Sequence, residues 1–340
     1  MGKAAIIILF ILQLTVCYGE EKEIRIGIAG DICFDGIVKK SIEEYGKDAI
    51  FYGYEEEIGK SDMIFANLET TVTERGNRVQ GKKFTFKSSP EILKVLKKNR
   101  IGIVSIANNH IVDYGEEGFY DTLNNLKKYG VLYSGAGKNS KETTIFPVFI
   151  KNGVKIGFIA FSKVIPYREW NVDVDRRGIR GIYPQHEKEA VELIKAAKSR
   201  CDILIVSVHW GIERSDEPRI NEILLAKKMI DSGADIIMGH HTHTVQRLDY
   251  YKGKPIFYSL GNFVFGKASV DKANKTAMGV ITIGSDKKIK KAKLVRGKLI
   301  NNFPVSYSGK LYKMIKEEER KRKEKKSIAE SGRNNGKEVM

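Results

Sequence analysis

The chain has 340 residues, 42% hydrophobic and 30% charged, which is ordinary for a globular protein and enough to bury a sizeable core in one large domain or two small ones. Its formal net charge of +17 is not ordinary: eleven Lys/Arg against six Asp/Glu put +5 of it in residues 310–340, and the other +12 is spread along the chain. That balance favours anionic partners such as lipid surfaces, phosphate-bearing polymer or poly-acidic peptide; no RNA- or DNA-reading motif accompanies it, so nucleic acid is not expected, and three cysteines exclude a disulfide framework.

Met1-Gly2-Lys3 precedes an apolar run from Ala4 to Val16 broken only by Gln13 and Thr15, which reads as a secretory signal or N-terminal membrane anchor over residues 1–19. It is shorter than the ~20 residues that span a bilayer comfortably, so cleavage and retention both fit. An extracytoplasmic location, membrane-anchored or secreted, is expected. Leu14-Thr15-Val16-Cys17 approaches a lipoprotein lipobox, with Val16 where a small residue belongs. Cys33 and Cys201 read as free, buried thiols.

Ile24, Ile26 and Ile28 alternate as a strand that ends at Gly30-Asp31. Asp62 to Ala66 is a second short strand, delivering Asn67-Leu68-Glu69. A Gly- and Lys-rich loop from Gly76 to Lys87 follows, then helical spacing from Pro90 to Lys98. Ile101 to Ala107 makes a third buried strand that presents Asn108-Asn109-His110, with Asp113 and Gly115 close behind. Glu116 to Tyr129 is a helix with Phe119, Leu123 and Leu126 on one face.

Phe146 to Phe161, with Gly153 at its centre, reads as a hairpin. Lys163 to Pro184 is an irregular surface excursion whose Arg168, Arg176, Arg177 and Arg180 either meet an anionic substrate or are simply solvated. After a helix from Glu187 to Lys198, the very apolar strand Asp202 to Val208 presents His209-Trp210-Gly211. A helix from Pro218 to Ser232 leads to the buried run Ala234 to Met238; Gly239 ends that strand, and His240-His241-Thr242-His243 crowd the turn. Short strands at Thr244–Tyr250, Pro255–Leu260, Ala277–Ile283 and Ile289–Arg296 complete a folded region over residues 23–305. Alternating βα units followed by a run of strands imply two packed sheets with helices outside. Residues 310–340 are a basic tail in which Glu317 to Lys326 is a charged helix or disordered.

Asp31, Glu69, Asn109 with His110, His209, and His241 with His243 thus each follow a buried strand, where open α/β folds place their ligands. Carboxylate, amide and imidazole ligands gathered at one rim are what a one- or two-metal hydrolase needs: the ions hold a hydroxide and clamp a phosphoryl group, and a nearby histidine protonates the leaving oxygen.

The ordered series Gly30-Asp31, Asn67-Leu68-Glu69, Ala107-Asn108-Asn109-His110 with Asp113 and Gly115, Val208-His209-Trp210-Gly211, Gly239-His240-His241-Thr242-His243 and Tyr258-Ser259-Leu260-Gly261-Asn262-Phe263 resembles the CapA/PgsA family. These are bacterial capsule-synthesis, poly-γ-glutamate biosynthesis proteins, themselves similar to calcineurin-like metallophosphoesterases. The resemblance covers roughly residues 24–300. It implies an α/β fold, a four-layer αββα sandwich of the calcineurin-like metallophosphoesterase type, placed outside the cytoplasmic membrane and taking part in making or exporting poly-γ-glutamate. Carried over motif by motif, Asp31, Glu69, Asn109, His209, His241 and His243 would ligate divalent metal (Mn, Fe, Zn or Mg), and His110 with Asp113 would be the acid. The implied partners are an anionic polymer or phosphate-bearing substrate, the membrane and a capsule or poly-γ-glutamate synthesis complex. Cys33 stands where the broader phosphoesterases have the histidine of Asp-x-His, and Glu69 where they have a bridging aspartate. A general metal-dependent phosphoesterase and a non-catalytic scaffold of the same fold are the alternatives.

Overall fold

The computed structural model describes residues 23–266 and 268–335, so the expected signal or anchor lies outside the described residues. The chain first lays down four parallel strands of one sheet: β1 (Ile24–Ile32), β2 (Met63–Leu68), β3 (Ile101–Ser105) and β4 (Leu132–Ser134). They are connected through α1 (Ile37–Tyr45), α2 (Glu55–Lys60), α3 (Ile92–Lys98) and α4 (Gly115–Tyr129). A second sheet follows, made of β5 (Val148–Lys151), β6 (Val154–Ser162), β7 (Ile203–His209), β8 (Ile236–His240), β9 (Leu248–Tyr251) and β10 (Lys254–Phe257), in the spatial order β9-β10-β8-β7-β6-β5. Its crossovers carry α5 (Glu187–Lys198) and α6 (Ile220–Asp231). The chain then returns to the first sheet with β11 (Asn262–Val264), β12 (Lys275–Ile283), β13 (Ile289–Ile300) and β14 (Phe303–Ser306). The first sheet reads β14-β13-β12-β1-β2-β3-β4, with β11 parallel to the end of β1. The last described element is α7 (Lys310–Asn335), and among the described residues no helix is long and apolar enough to cross a membrane.

The period-two pattern explains the layers. In β7, Ile203 and Ile205 pack into the core shared with Ile28 and Phe65 of the first sheet, whereas Leu204, Val206 and Val208 pack against Ala190 and Ile194 of α5 and Leu225 and Met229 of α6. Phe65 meets Phe158 across the sheet interface, ring centroids 5.3 Å apart. On the far side α3 and α4 bury Leu93, Leu96, Phe119 and Leu123 against the first sheet. The result is the αββα sandwich expected from the resemblance.

Strand ends differ from the expectation where they matter most. β8 does not stop at Met238; it runs on through Gly239 and His240. A Cβ at Gly239 would lie 1.9 Å from the Tyr258 carbonyl oxygen, so this glycine permits a close backbone approach and terminates nothing. His240 therefore sits in the strand, in register with His209, and the turn begins at His241. β1 likewise extends through Asp31 and Ile32; a Cβ at Gly30 would meet the Gly261 carbonyl at 1.9 Å. β2 runs on to Leu68, and β3 stops at Ser105.

Candidate metal centre

Because β1, β2 and β3 are parallel, and β6, β7 and β8 are parallel in the facing sheet, the C-terminal ends of both sets can supply one rim. Asp31 is fully buried there. Its Oδ1 accepts from Asn67 Nδ2 at 2.9 Å and lies 3.1 Å from His240 Nδ1. Its Oδ2 accepts from the His241 backbone N–H at 3.3 Å and lies 3.6 Å from His243 Nδ1. Glu69 Oε1, also fully buried, is 3.6 Å from His209 Nε2 and 3.8 Å from His110 Nε2. His209 Nε2 is 2.8 Å from Asn109 Oδ1. His241 and His243 adopt positive φ, 87° and 55°, a sparsely populated backbone that turns both side chains back toward the carboxylates.

Ligand atoms of Glu69, His209 and His241 all lie within 4.8 Å of one another, as do those of Asp31, Glu69 and His243. Glu69 belongs to both groups, which makes them one contiguous site. Glu69 Oε1 and His241 Nδ1 are buried without a hydrogen-bond partner among the described residues. Buried polar atoms are normally paired, and an orphaned carboxylate oxygen among neutral imidazoles is suited to a cation. The donor set therefore fits a divalent metal.

The electrostatics agree. Burial, then the charge of Asp31, pushes the Glu69 carboxyl well above its ordinary range. Burial also pushes Asp31 up, but the hydrogen bond and charge of His240 and the charge of His243 outweigh it and hold Asp31 below the ordinary value. Two carboxyls this close do not both ionise readily without a cation. Burial, aided by the neighbouring imidazoles, pushes His209 well down and His241 down to about 3, so both stay in the neutral form that ligates metal.

His110 and Asp113 stand beside this group. His110 Nδ1 is 2.6 Å from Asp113 Oδ2, which also accepts the Phe86 N–H at 2.7 Å, and His110 Nε2 is left toward Glu69. Burial lowers the His110 pKa, with the Asp113 hydrogen bond opposing it.

All eight residues singled out in the sequence are thus brought together. Several others there were quoted only within motifs. Asn67 reaches Asp31, Glu69 and His209 Nδ1; Asn108 Nδ2 donates to Asn67 Oδ1 at 3.1 Å; Asn262 Oδ1 is 2.8 Å from His243 Nδ1. Lys82 has no motif at all, yet its ammonium contacts Asp113 and the Asn109 carbonyl. Its only signal is the basic character of the Gly76–Lys87 loop. Cys33 is buried and belongs to neither ligand group; burial pushes its thiol well up. Cys201, expected to be buried, is half-buried.

The arginines of the excursion are mostly spent on the fold. Arg180 is buried, bonding Glu189, Thr143 and the Ser140 carbonyl. Arg177 pairs with Glu116 at 3.1 Å and Arg176 with Asp173 at 3.4 Å, while Arg168 has no ion pair among the described residues. A cavity of about 460 Å³ beside Leu123, Val131 and Phe146 lies away from the metal-competent residues and shares none of them.

Carboxylate, amide and imidazole side chains gathered at the strand ends give this αββα sandwich a metal-competent rim. The chain belongs to the bacterial capsule synthesis protein family PGA_cap, which it matches over residues 25–267. It is 36% identical over 238 residues to the PGA biosynthesis protein CapA of Bacillus subtilis, an overlap covering 69% of this chain and 62% of the relative. It is 32% identical over 254 residues to the capsule biosynthesis protein CapA of Bacillus anthracis, covering 74% and 62%. The match thus spans under two thirds of either relative's length. Among solved structures, a phosphatase from Mycoplasma pneumoniae superposes with TM-score 0.49 at 14% identity, covering 81% of this chain and 94% of that one. An NAD nucleotidase from Haemophilus influenzae gives 0.47 at 11%, covering 82% and 57%. Neither superposition carries weight beside the strand order itself.

Proposed function

We propose that this chain acts outside the cytoplasmic membrane, anchored or secreted, in capsule or poly-γ-glutamate synthesis or export, through a divalent-metal centre at the rim described above. The observation that carries this reading is the convergence of Asp31, Glu69, His209, His241 and His243, with Asn109 on His209, at a site whose Glu69 Oε1 is buried without a hydrogen-bond partner among the described residues. Bound Mn, Fe, Zn or Mg would supply Lewis acidity toward a phosphoryl oxygen and a nucleophilic hydroxide. The chain's own part is to hold those ligands in a buried rim and to present the His110 ring, its Nδ1–H held by Asp113, so that Nε2 takes up a proton and passes it to a leaving oxygen. The relatives' names set the biological context, and an acidic polymer suits a chain of charge +17.

Metal analysis of the purified protein, together with hydrolysis of an aryl phosphodiester under added manganese, tests this. Bound metal with turnover is the expected result. Turnover with no selectivity for polymer-linked phosphate would favour a general phosphoesterase. No metal and no turnover would leave a non-catalytic scaffold that holds a polyanion on its basic surface.

A further inference from the structure

Lys82 lies in an irregular loop, yet its side chain is only 11% exposed. Its ammonium meets Asp113 Oδ1 and the Asn109 carbonyl oxygen, stands 3.2 Å from His110 Nδ1 and lies 5.5 Å from the centre of the Trp170 ring. An ammonium only donates, and an ionised carboxylate only accepts. The two Asp113 oxygens are divided: Oδ1 serves Lys82, and Oδ2 serves His110 Nδ1 and the Phe86 N–H. Were His110 Nδ1 to accept from Lys82, it would face Asp113 Oδ2 lone pair to lone pair at 2.6 Å. The ring proton therefore belongs on Nδ1. Asp113 is fully buried, and a buried carboxylate with no cation beside it is costly, so the lysine stabilises the arrangement it orders.

We propose that Lys82 is the positioning residue of this site: by compensating Asp113 it keeps the ionised acceptor that holds His110 as the Nδ1–H tautomer, and it ties that pair to the Asn109 carbonyl. Asn109 in turn faces His209 at 2.8 Å, so one ammonium joins the proton-transfer arm to the metal-ligand arm. Its catalytic meaning rests on the function proposed above, but the tautomer is readable without metal or turnover.

Long-range 1H–15N spectra of the imidazoles, recorded on the metal-free full-length protein at about pH 8 where ordinary imidazole is neutral, report the tautomer. The His110 signals are assigned by their loss in His110→Asn. The expected result is Nδ1–H in the wild type and in Lys82→Arg, and a mixed or Nε2–H ring in Lys82→Met. Nε2–H in the wild type, or a Lys82→Met spectrum identical to wild type, would overturn the proposal; the first outcome does not depend on Lys82→Met folding. If the wild type turns over the aryl phosphodiester, Lys82→Met should lower kcat by about tenfold or more with KM within about twofold, and Lys82→Arg should recover most of it. Loss confined to KM would also count against it. Absence of metal and turnover in the wild type would defeat the proposed function while leaving the tautomer result to decide this one.

Discussion

Two stretches of this molecule concentrate charge and hydrogen-bonding capacity, and the fold treats them in opposite ways. At the strand-end rim, Glu69 and His241 converge on neighbours and still have buried atoms with no hydrogen-bond partner among the described residues. In the excursion from Lys163 to Pro184, Arg180 is as buried as a ligand, but Glu189, Thr143 and the Ser140 carbonyl satisfy its guanidinium. The difference shows that burial of a charged side chain does not mark a site by itself. A buried group whose partners are all supplied is structural; one left wanting is waiting for something the chain does not contain.

The sharpest way to break that distinction is Glu69→Gln, which removes the carboxylate common to both ligand groups. Loss of partners behind metal ligands alone costs 10–100-fold in affinity, so loss of this one is expected to weaken binding by more than about a hundredfold. Metal at about 100 times Kd should stabilise the wild type by about 2.7 kcal/mol and the variant by nearly nothing. Without metal the variant should melt no lower than the wild type, because it no longer buries a second carboxyl beside Asp31. Equal metal-dependent rises in Tm would show that Glu69 is no ligand. His241→Ala and His243→Ala should each lower metal content, and unchanged stoichiometry in both would remove the cluster from consideration.

Arg180→Ala probes the other side. It should cost about 2 kcal/mol of stability, since Thr143 and the Ser140 carbonyl lose their buried donor, with bound metal unchanged. Denaturant unfolding and metal analysis read both halves. A variant that keeps its stability but sheds metal would mean the excursion serves the site directly.

A smaller effect follows from pH. His209 and His241 have folded pKa values below their ordinary 6.5, so the unfolded chain takes up protons first and stability falls as pH drops through that value. For His241 the loss continues to about pH 3. Glu69 opposes it: with its pKa raised, the native state binds a proton first, adding stability as pH falls toward 4.5. With His110 lowered as well, three imidazoles against one carboxyl leave a net loss of stability as pH falls below about 6.5 in metal-free protein. His241→Asn should flatten it, measured as Tm against pH. A wild-type profile already flat over that range would show that the imidazoles are not held neutral.

Much of the rim was legible in the sequence because parallel strands end on one edge, and a polar residue directly after a β-branched run has nowhere else to be. His209 is of this kind, and Asp31 and Asn109 each follow the last isoleucine of their strand run by three residues. His240 was not legible: the glycine before it looked like a terminator, and its actual reason, the approach of the Tyr258 carbonyl, comes from the residue just past β10, the strand that pairs with β8. Lys82 was not legible either, since an aperiodic loop offers no way to tell which of its cations is turned inward. Arg168 and Arg180 are the same residue type in the same excursion, and only the long-range partners Thr143 and Glu189 separate them. Periodicity reports where a backbone goes; it says little about which distant side chain completes a hydrogen bond.

The tail extends the comparison to charge with almost no tertiary partner. In α7, Leu311 and Ile315 line a cleft with Tyr45, Phe303 and Pro304, whereas residues 316–323 are exposed. The ion pairs Lys316–Glu319 at 2.8 Å and Lys321–Glu317 at 3.0 Å lie within the helix and in solvent, where such pairs contribute a few tenths of a kcal/mol. Deleting residues 317–340 should therefore move Tm by no more than about 2 °C. Deleting 310–340 also exposes the apolar cleft and should cost about 1–2 kcal/mol, because it removes two half-buried aliphatic side chains. If the shorter deletion costs as much as the longer, the charged turns pack on the fold, and their basic surface belongs with the partnered arginines of the excursion.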